Sequence, residues 1–536
     1  MKCLEIATEL GEVNAYDEDV TTARSALGLL DEMATSLPPG QVVVPLLHAL
    51  GPYVTSPDPD RRQAGIMALG MCVEGAPDFI ATQMGEIYPL ILRLLEDPET
   101  KVRRAALDGV LRVAEELPEE LGKEHQKLMP ALVKHMDIAI KSLNGPDDKQ
   151  NLDIIKASTN CIDSLVEGLT AEDVEHYLPE LMPRMNRLFG HPDLKIKAVA
   201  IGATGALAAC AKEAFLPYFE QTMNSLSEYV QMKDSSDELD LRSVTCDAMG
   251  QMALAVGGKA FQRYVQPLMQ ATDEALHLDH PKLKETSYMF WAMMAKVYEG
   301  EFKPFLEGVL KTLFESLETE ESELEVDLGD EAEDLAITEI TIGGKTIRVA
   351  PPNDDDPVDA ADIEDLDDEN AASGSDDDWD DLDVVTAVAQ EKEIAVEVLG
   401  DILTHTTQDY LPYLEKTVEV VVPLLEHSYE GVQKAAISTL FRAHSALWAL
   451  QPEDIRDFTP GLPLKTTPNP QLERFAELVM TGTLAIWQEG EDRYVNSFSR
   501  LYQLQFCLHI DMMPHMSLIP AHSDALRCML RKRIFF

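Results

Sequence analysis

The sequence predicts an all-α fold of stacked helix pairs, and three observations point to it. Only 6% of the 536 residues are aromatic, whereas Leu, Ala and Met are abundant, and this composition favours helices over β-sandwiches. Apolar residues recur at helical spacing in segment after segment. A proline in or just before an apolar run returns about every 40 residues, which is the period of helical repeat proteins.

The proline marks each repeat. It occurs at Pro45, Pro89, Pro130, Pro179, Pro217, Pro267, Pro304 and Pro412. The first six intervals are 37 to 50 residues long and straddle the ~40–47-residue period of HEAT and armadillo units. The last interval is 108 residues, which equals one period plus about 65 extra residues.

One repeat shows both of its helices. The first helix has apolar residues at i, i+3, i+4, i+7 and i+8, namely Ile87, Leu90, Ile91, Leu94 and Leu95,. Asp97–Pro98 ends it, because the residue before a proline is pushed out of the α region. The second helix has a stripe of small and branched residues: Val102, Ala105, Ala106, Gly109, Val110 and Val113. Because one pair cannot bury its own face, we predict a HEAT/armadillo-repeat α-solenoid, wound as a right-handed superhelix.

The repeats are interrupted once. We predict HEAT repeats at 1–317 and 384–492, an acidic insertion within one repeat at 318–383, and an atypical tail at 493–536. The insertion has 27 Asp or Glu against Lys345 and Arg348, so most of it should be disordered. Alternating residues around Gly343–Gly344 predict a β-hairpin at 337–349, which is marginally stable unless it packs on another element. The tail is either a gene-model artefact or a genuine divergent segment.

The charge limits the kinds of partner. A formal net charge of -51 and a pI near 4.4 repel phosphate backbones and anionic lipid but attract basic proteins. We therefore expect no nucleic-acid binding. We also expect no membrane insertion, because the longest uncharged stretches, such as 198–211, are too short to span a bilayer. The seven cysteines are scattered singly, which is typical of a reducing compartment.

Two segments resemble a known family. They are EIATELGEVNAYDEDVTTARSALGLLDEMATSLPPGQVVVPLL near the start and LPYLEKTVEVVVPLLEHSYEGVQKAAISTLFRA after the insertion. Both resemble the importin-β (β-karyopherin) family, and within it the importin-4-type receptors; the resemblance extends over about 1–492. It implies a receptor that shuttles between cytoplasm and nucleus and imports basic cargo such as histones and ribosomal proteins.

The resemblance also implies further partners. Members of the family bind Ran-GTP through amino-terminal repeats, and nothing in this sequence matches those repeats; nucleoporins are also expected partners. Such receptors are about twice as long as this chain. The tip of the insertion resembles the acidic loop that helps these receptors engage Ran and basic cargo. We therefore predict a cargo-binding acidic loop at Asp376, Asp377, Asp378, Trp379, Asp380 and Asp381.

Three catalytic or ligand-binding interpretations are weaker. Asp376, Asp377 and Asp380 spell the D-D-x-x-D motif of prenyl synthases, but they lie in a low-complexity run with no second acidic motif. His277 and His280 lack further metal ligands, so a capping role is favoured. Gly202 and Gly205 follow no strand and predict close helix packing instead of a phosphate loop. We therefore predict no enzyme activity, no metal and no cofactor.

Two other groups of residues admit alternative interpretations. A segment of aromatic and Met residues predicts a buried second helix, although a hydrophobic cargo groove is the alternative; its members are Tyr288, Phe290, Trp291, Met293 and Met294. The acidic residues Asp108, Glu115 and Asp163 either line an inner binding surface or are solvated helix positions.

The sequence thus predicts part of a nuclear transport receptor for basic cargo. The alternative is a HEAT-repeat scaffold or assembly chaperone, such as a phosphatase regulatory subunit.

Overall fold

The computed structural model describes most of the chain. The described residues are 2–10, 21–142, 149–278, 280–319, 339–342, 345–348, 387–451 and 469–493. They contain twenty α-helices and two short β-strands. The chain divides into two compact units, Met1–Phe302 and Lys303–Phe536.

The first unit is entirely helical in its described part. Its helices are α1 (Lys2–Ala7), α2 (Thr22–Ser36), α3 (Val43–Val54), α4 (Pro59–Met71), α5 (Pro77–Leu95), α6 (Thr100–Glu116), α7 (Pro118–Gly122), α8 (His125–Ser142), α9 (Lys149–Glu167), α10 (Ala171–Phe189), α11 (Leu194–Ala211), α12 (Leu216–Leu226), α13 (Ser236–Val256), α14 (Gly258–Ala275) and α15 (Pro281–Tyr298).

The second unit contains five helices and a hairpin in its described part. The helices are α16 (Lys303–Leu317), α17 (Ala387–Tyr410), α18 (Leu414–Val421), α19 (Glu430–Ala449) and α20 (Pro470–Arg493). Strands β1 (Glu339–Ile342) and β2 (Lys345–Arg348) pair antiparallel, with Ile340 opposite Ile347. They lie in the sequence between α16 and α17, where the alternating pattern predicts a hairpin.

Helices pair as the repeat period predicts. In the first unit the A helices are α1, α3, α5, α8, α10, α12 and α14, and the B helices are α2, α4, α6, α9, α11, α13 and α15. Each B helix contacts its own A helix, and each from α2 to α13 also contacts the B helix of the next pair. In the second unit α16 pairs with α17, α18 pairs with α19, and α17 contacts α19. The all-α HEAT-repeat fold is therefore confirmed.

The apolar stripe of α6 shows why the repeats stack. Val102, Ala106 and Val110 are fully buried, and a Cβ on Gly109 would lie 3.0 Å from Cγ1 of Ile66 in α4. Small residues let neighbouring B helices approach closely, because protein interiors pack at crystal density. Gly205 has the same role, since its Cβ would lie 3.0 Å from Cα of Ala248 in α13.

The repeated prolines lie in or near the A helices. Pro89, Pro130 and Pro267 are inside α5, α8 and α14, whereas Pro217 is in the first turn of α12. Pro412 is in a short 3₁₀ turn before α18. A proline is tolerated in a first turn because the N–H that it lacks would have no intrahelical partner there.

Within the described part of the chain, one segment, Leu194–Leu226, is long and apolar enough to cross a membrane by length and composition. It comprises α11 and α12, which belong to different repeats, and α11 packs between α9 and α13. Its apolar character is therefore explained by helix packing within the first unit.

Candidate functional site

Acidic residues line the B helices of the first unit on the side that neighbouring helices leave uncovered. Asp108 lies on α6, Asp163 on α9, Asp247 on α13 and Glu285 on α15, and all four are half-buried. Because α6, α9, α11, α13 and α15 contact one another in turn, these carboxyl groups belong to one continuous helix layer. Of the acidic residues that the sequence analysis selected, Asp108 and Asp163 belong to this row, while Glu115 is exposed near the end of α6.

Asp108 is partly neutralised by its surroundings. Burial raises its pKa to about 6; Arg104 and Arg112 oppose that shift, and Asp153 adds to it. Arg104 also lies 3.2 Å from a carboxylate oxygen of Asp153 on α9. The carboxylates on α6 and at the start of α9 therefore already have arginine side chains of this chain beside them.

Asp163 has a different environment. Burial, together with the nearby Glu167 and Asp247, raises its pKa to about 7. Among the described residues, no Lys or Arg forms an ion pair with it. A half-buried carboxylate without a cation is costly to ionise, so Asp163 would be stabilised by a positively charged group from another molecule.

Gly202 leaves a space without a side chain next to Asp163. It lies on α11, which packs between α9, the helix of Asp163, and α13, the helix of Asp247. A Cβ on Gly202 would lie 3.7 Å from Oδ2 of Asp163 and 3.8 Å from Cγ1 of Val244 on α13. We call Asp163, Gly202 and Asp247 the Gly202 groove. Asp247 is close enough to raise the pKa of Asp163, and the missing side chain at Gly202 leaves room for the methylene stem of a lysine.

Asp247 is held in place from its own helix. Nε2 of Gln251 donates to Oδ2 of Asp247 at 2.8 Å. Burial raises the pKa of Asp247, the hydrogen bond from Gln251 lowers it, and Glu285 on α15 raises it again. The negative potential therefore continues from α9 across α13 to α15.

An exposed apolar surface lies next to these acids. Leu254 on α13 and Met289 on α15 are 37% and 43% exposed. Met293 is half-buried and covers Gly250, since a Cβ on Gly250 would overlap its methyl group. The prediction that Met293 is buried is therefore wrong, because its side chain is half-buried. Tyr288, Phe290, Trp291 and Met294, its four companions, are buried as predicted.

The second unit offers a contrasting pair. Asp401 on α17 lies 2.5 Å from Nη1 of Arg442 on α19. That carboxylate therefore already has a cation, unlike Asp163.

The predicted acidic loop cannot be placed. Asp376, Asp377, Asp378, Trp379, Asp380 and Asp381 lie outside the described residues. Within the insertion, the structure describes the backbone of the hairpin strands, 339–342 and 345–348.

Asp247, which raises the pKa of Asp163, and Glu285, which raises the pKa of Asp247, were not predicted from the sequence. A usable signal was present, because Asp240, Val244, Asp247, Gln251 and Leu254 follow helical spacing along the uncovered side of α13,. What sequence could not supply is the alignment of successive B helices, which places Asp247 opposite Asp163.

The residues weighed for catalysis have structural roles where they are described. Nδ1 of His280 accepts the Leu283 N–H at 3.2 Å, which caps α15. Gly205 serves helix packing, as predicted. Within the described residues, no group of three or more His, Cys, Asp or Glu could hold a metal ion.

Known proteins match this fold and sequence. A family model described as TORTIFOLIA1 N-terminal matches residues 16–280. The chain is 33% identical over 493 residues to the probable importin subunit beta-4 of Schizosaccharomyces pombe, covering 92% of this chain and 43% of the relative. It is 26% identical over 423 residues to importin-4 of Mus musculus, covering 78% and 36%.

Solved structures agree on the fold. Crystal structures of Kap121p bound to Pho4p and to Nup53p match 99% of this chain, with TM-scores of 0.67 and 0.64 and 16% identity. They cover 46% and 51% of the Kap121p chains. The chain thus spans about half, or less, of each of these proteins.

The paired helices and the continuous B-helix layer define a HEAT-repeat protein of the karyopherin type. The chain belongs to the importin-β family and is importin-4-like, as the two resembling segments indicated.

Proposed function

We propose that this chain is the cargo-binding part of a nuclear transport receptor and that it binds basic protein segments of the histone or ribosomal-protein type. The observation that carries the proposal is the Gly202 groove, where Asp163 lies beside Gly202, has its pKa raised by Asp247, and has no ion pair with a cation of the described residues. Relatives of the chain carry importin names. The role is binding and carries no chemical reaction.

The mechanism is electrostatic complementarity. A lysine of the cargo lies with its methylenes over Gly202 and its ammonium between Asp163 and Asp247. The ion pairs stabilise the ionised form of Asp163, which burial destabilises. Hydrogen bonds to charged groups contribute about 1.5–3 kcal/mol each. The net charge of -51 speeds encounter with basic partners, and this effect weakens with salt.

The acidic insertion has a supporting role in the proposal. Residues 376–381 add carboxylates that can pair with lysine and arginine of the cargo. The indole of Trp379 can form a cation–π interaction worth about 0.5–2 kcal/mol. The insertion joins the A and B helices of one repeat, α16 and α17. A receptor of this kind shuttles between cytoplasm and nucleus and meets nucleoporins and Ran-GTP there.

Calorimetric titration of a lysine-rich histone tail tests the proposal. Four proteins are compared at low and physiological salt: the chain, the chain lacking 318–383, an Asp163→Asn/Asp247→Asn variant, and a Glu86→Gln/Glu175→Gln control. The control removes the same charge from exposed positions on A helices.

We expect the Asp163/Asp247 variant to bind about tenfold more weakly, since a tenfold change is 1.4 kcal/mol, and the control to bind nearly as the parent does. The insertion deletion should weaken binding mainly at low salt. Equal, salt-insensitive binding by all four proteins would contradict the proposal and favour a HEAT-repeat scaffold.

A further inference from the structure

The exposed apolar surface beside the acidic groove is not explained by packing. Leu254, Met289 and Met293 form it, and we call these three residues the apolar ledge. Met289 and Met293 are four residues apart on α15 and therefore share one face. Met293 covers Gly250, and Leu254 is one turn further along α13. The three side chains therefore lie on neighbouring parts of two helices that contact each other.

The side chains of the apolar ledge can adapt their shape to a partner, and their exposure to water is unfavourable in free energy. Methionine is unbranched and polarisable, so it fits apolar groups of different shape. The neighbouring aromatic residues Phe290 and Trp291 are buried in the same helix and form a firm base. An apolar side chain placed on the ledge would remove Met289 and Leu254 from water.

The charges around the ledge define its occupant. Asp247 lies one turn before Gln251 on α13, and Glu285 lies one turn before Met289 on α15. Glu285 is close enough to raise the pKa of Asp247. A partner on the ledge therefore meets carboxylates on the same surface, and charge complementarity requires basic residues beside its apolar one.

We propose that the apolar ledge binds one large apolar side chain of the same basic segment whose lysine occupies the Gly202 groove. This inference rests on the proposed function and adds a second requirement: a basic segment needs an apolar anchor.

The geometry sets the spacing between lysine and anchor. Neighbouring packed helices are about 8–10 Å apart, and the groove on α11 is one helix away from the α13–α15 contact that carries the ledge. An extended chain rises about 3.3 Å per residue. The apolar residue therefore lies about three residues from the lysine.

Two synthetic peptides test the proposal. Each has twelve residues with four lysines in a glycine and serine background; one carries a leucine three residues from a lysine, and the other has serine at that position. Affinities are measured by fluorescence anisotropy for the chain, for Leu254→Gln/Met289→Gln, and for a Leu216→Gln control. Leu216 is 51% exposed on the A helix α12, so the control loses a comparable exposed apolar residue.

The parent chain should bind the leucine peptide about tenfold more tightly than the serine peptide, as burial of one apolar side chain provides. The Leu254/Met289 variant should lose that ratio while it keeps its affinity for the serine peptide, and the control should keep both. The same ratio in parent and ledge variant, or no preference for leucine in the parent, would overturn the inference and leave the proposed function intact.

Two further outcomes are distinguishable. If neither peptide binds the parent chain, the proposed function fails, and the inference fails with it. If sedimentation finds a dimer that the Leu254/Met289 variant abolishes, the ledge is a contact between two copies of this chain, and the inference is overturned.

Discussion

Arg62 and Asp97 form a two-point ion pair between consecutive repeats. Nε and Nη2 of Arg62 donate to the two carboxylate oxygens at 2.7 and 2.9 Å. The same guanidinium donates to the carbonyl oxygens of Ser56 and Pro57. Arg103 repeats that arrangement one unit later, where it donates to the carbonyl oxygens of Asp97 and Pro98. One arginine near the start of a B helix thus secures the turn before it.

Removing one partner of this pair should destabilise the first unit. Asp97 is only 8% exposed, so Asp97→Ala leaves the Arg62 guanidinium largely buried without its anion. We expect the free energy of unfolding in urea to fall by about 3 kcal/mol. The control is Glu120→Ala, which breaks the exposed Lys123–Glu120 pair and should cost well under 1 kcal/mol. Equal losses for both variants would contradict this prediction.

The repeating pattern of apolar stripes and helix-ending prolines made most of the fold predictable. One helical stripe consists of Val102, Ala106 and Val110. The helix that carries it begins after Asp97–Pro98 and ends before Leu117–Pro118. These signals come from residues that are close together in the chain, so a single sequence is enough to show them. The short helix α7 was not predicted, because five residues are too few to show a helical period.

The site was less predictable because it depends on alignment between repeats. Asp108 and Asp163 could be selected from the sequence as acidic positions on B helices. That Asp247 shares a groove with Asp163 depends on how α9, α11 and α13 stack, and Gly202 permits that groove. The exposure of Met289 also follows from tertiary packing, since its neighbours Tyr288 and Phe290 in the same helix are buried.

Gly168 should tolerate no side chain. It follows α9 and faces α7, and a Cβ there would overlap the carbonyl group of Pro118. Because that obstacle is backbone, Gly168→Ala should lower the free energy of unfolding by about 2 kcal/mol. Gly28→Ala is the matched control: Gly28 is exposed within α2 with nothing within 4 Å of its Cβ position, and alanine there should stabilise by about 0.5–1 kcal/mol. Urea midpoints with unchanged slopes would measure both, and a neutral Gly168→Ala would refute the overlap.

Three B helices end in the left-handed region. Lys212 after α11 has φ of 52°, Glu299 after α15 has φ of 47°, and Gly257 after α13 has φ of 79°. In each case the backbone N–H donates to the carbonyl four residues earlier. Side chains with a Cβ are disfavoured there.

Glycine at Lys212 or Glu299 should therefore stabilise the first unit. We expect Lys212→Gly and Glu299→Gly each to raise the free energy of unfolding by about 0.5–1 kcal/mol, which is the relief of strain less the extra entropy of an unfolded glycine. Gly257→Ala should destabilise by about 1 kcal/mol, since only the backbone resists a Cβ at this open position. Lys212→Ala should be neutral because alanine is equally disfavoured. A stabilising Lys212→Ala would show that strain is not the cause.

Asp97 and Asp163 have pKa values that are shifted in opposite directions. Burial would raise the pKa of Asp97, but hydrogen bonds from Arg62 and from the Glu99 N–H outweigh it and hold the pKa below its usual range. Its stabilising effect is present at neutral pH and is lost as pH falls through that low pKa. Asp163 is the opposite case, because its raised pKa of about 7 means that the folded state holds the proton more tightly than the unfolded state. Its stabilising effect is present at low pH and is lost as pH rises through 7.

Asp163 should therefore give the chain a measurable pH dependence between pH 5 and pH 7. The free energy of unfolding should fall as pH rises, by up to about 1.4 kcal/mol per pH unit for each such group. Because Asp108 also has a raised pKa, of about 6, Asp163→Asn should remove mainly the part of the slope above pH 6 and leave a slope at lower pH. Urea unfolding at pH 5.5, 6.5 and 7.5 measures this, with Glu86→Gln as the control that keeps the slope. A lysine peptide binds the ionised carboxylate, so its affinity should rise with pH in the parent chain and rise less in Asp163→Asn, where Asp247 still titrates. An unchanged slope between pH 6.5 and pH 7.5 in Asp163→Asn would assign the proton to another group, and the Gly202 groove would then lose its argument for an unpaired, half-buried acid.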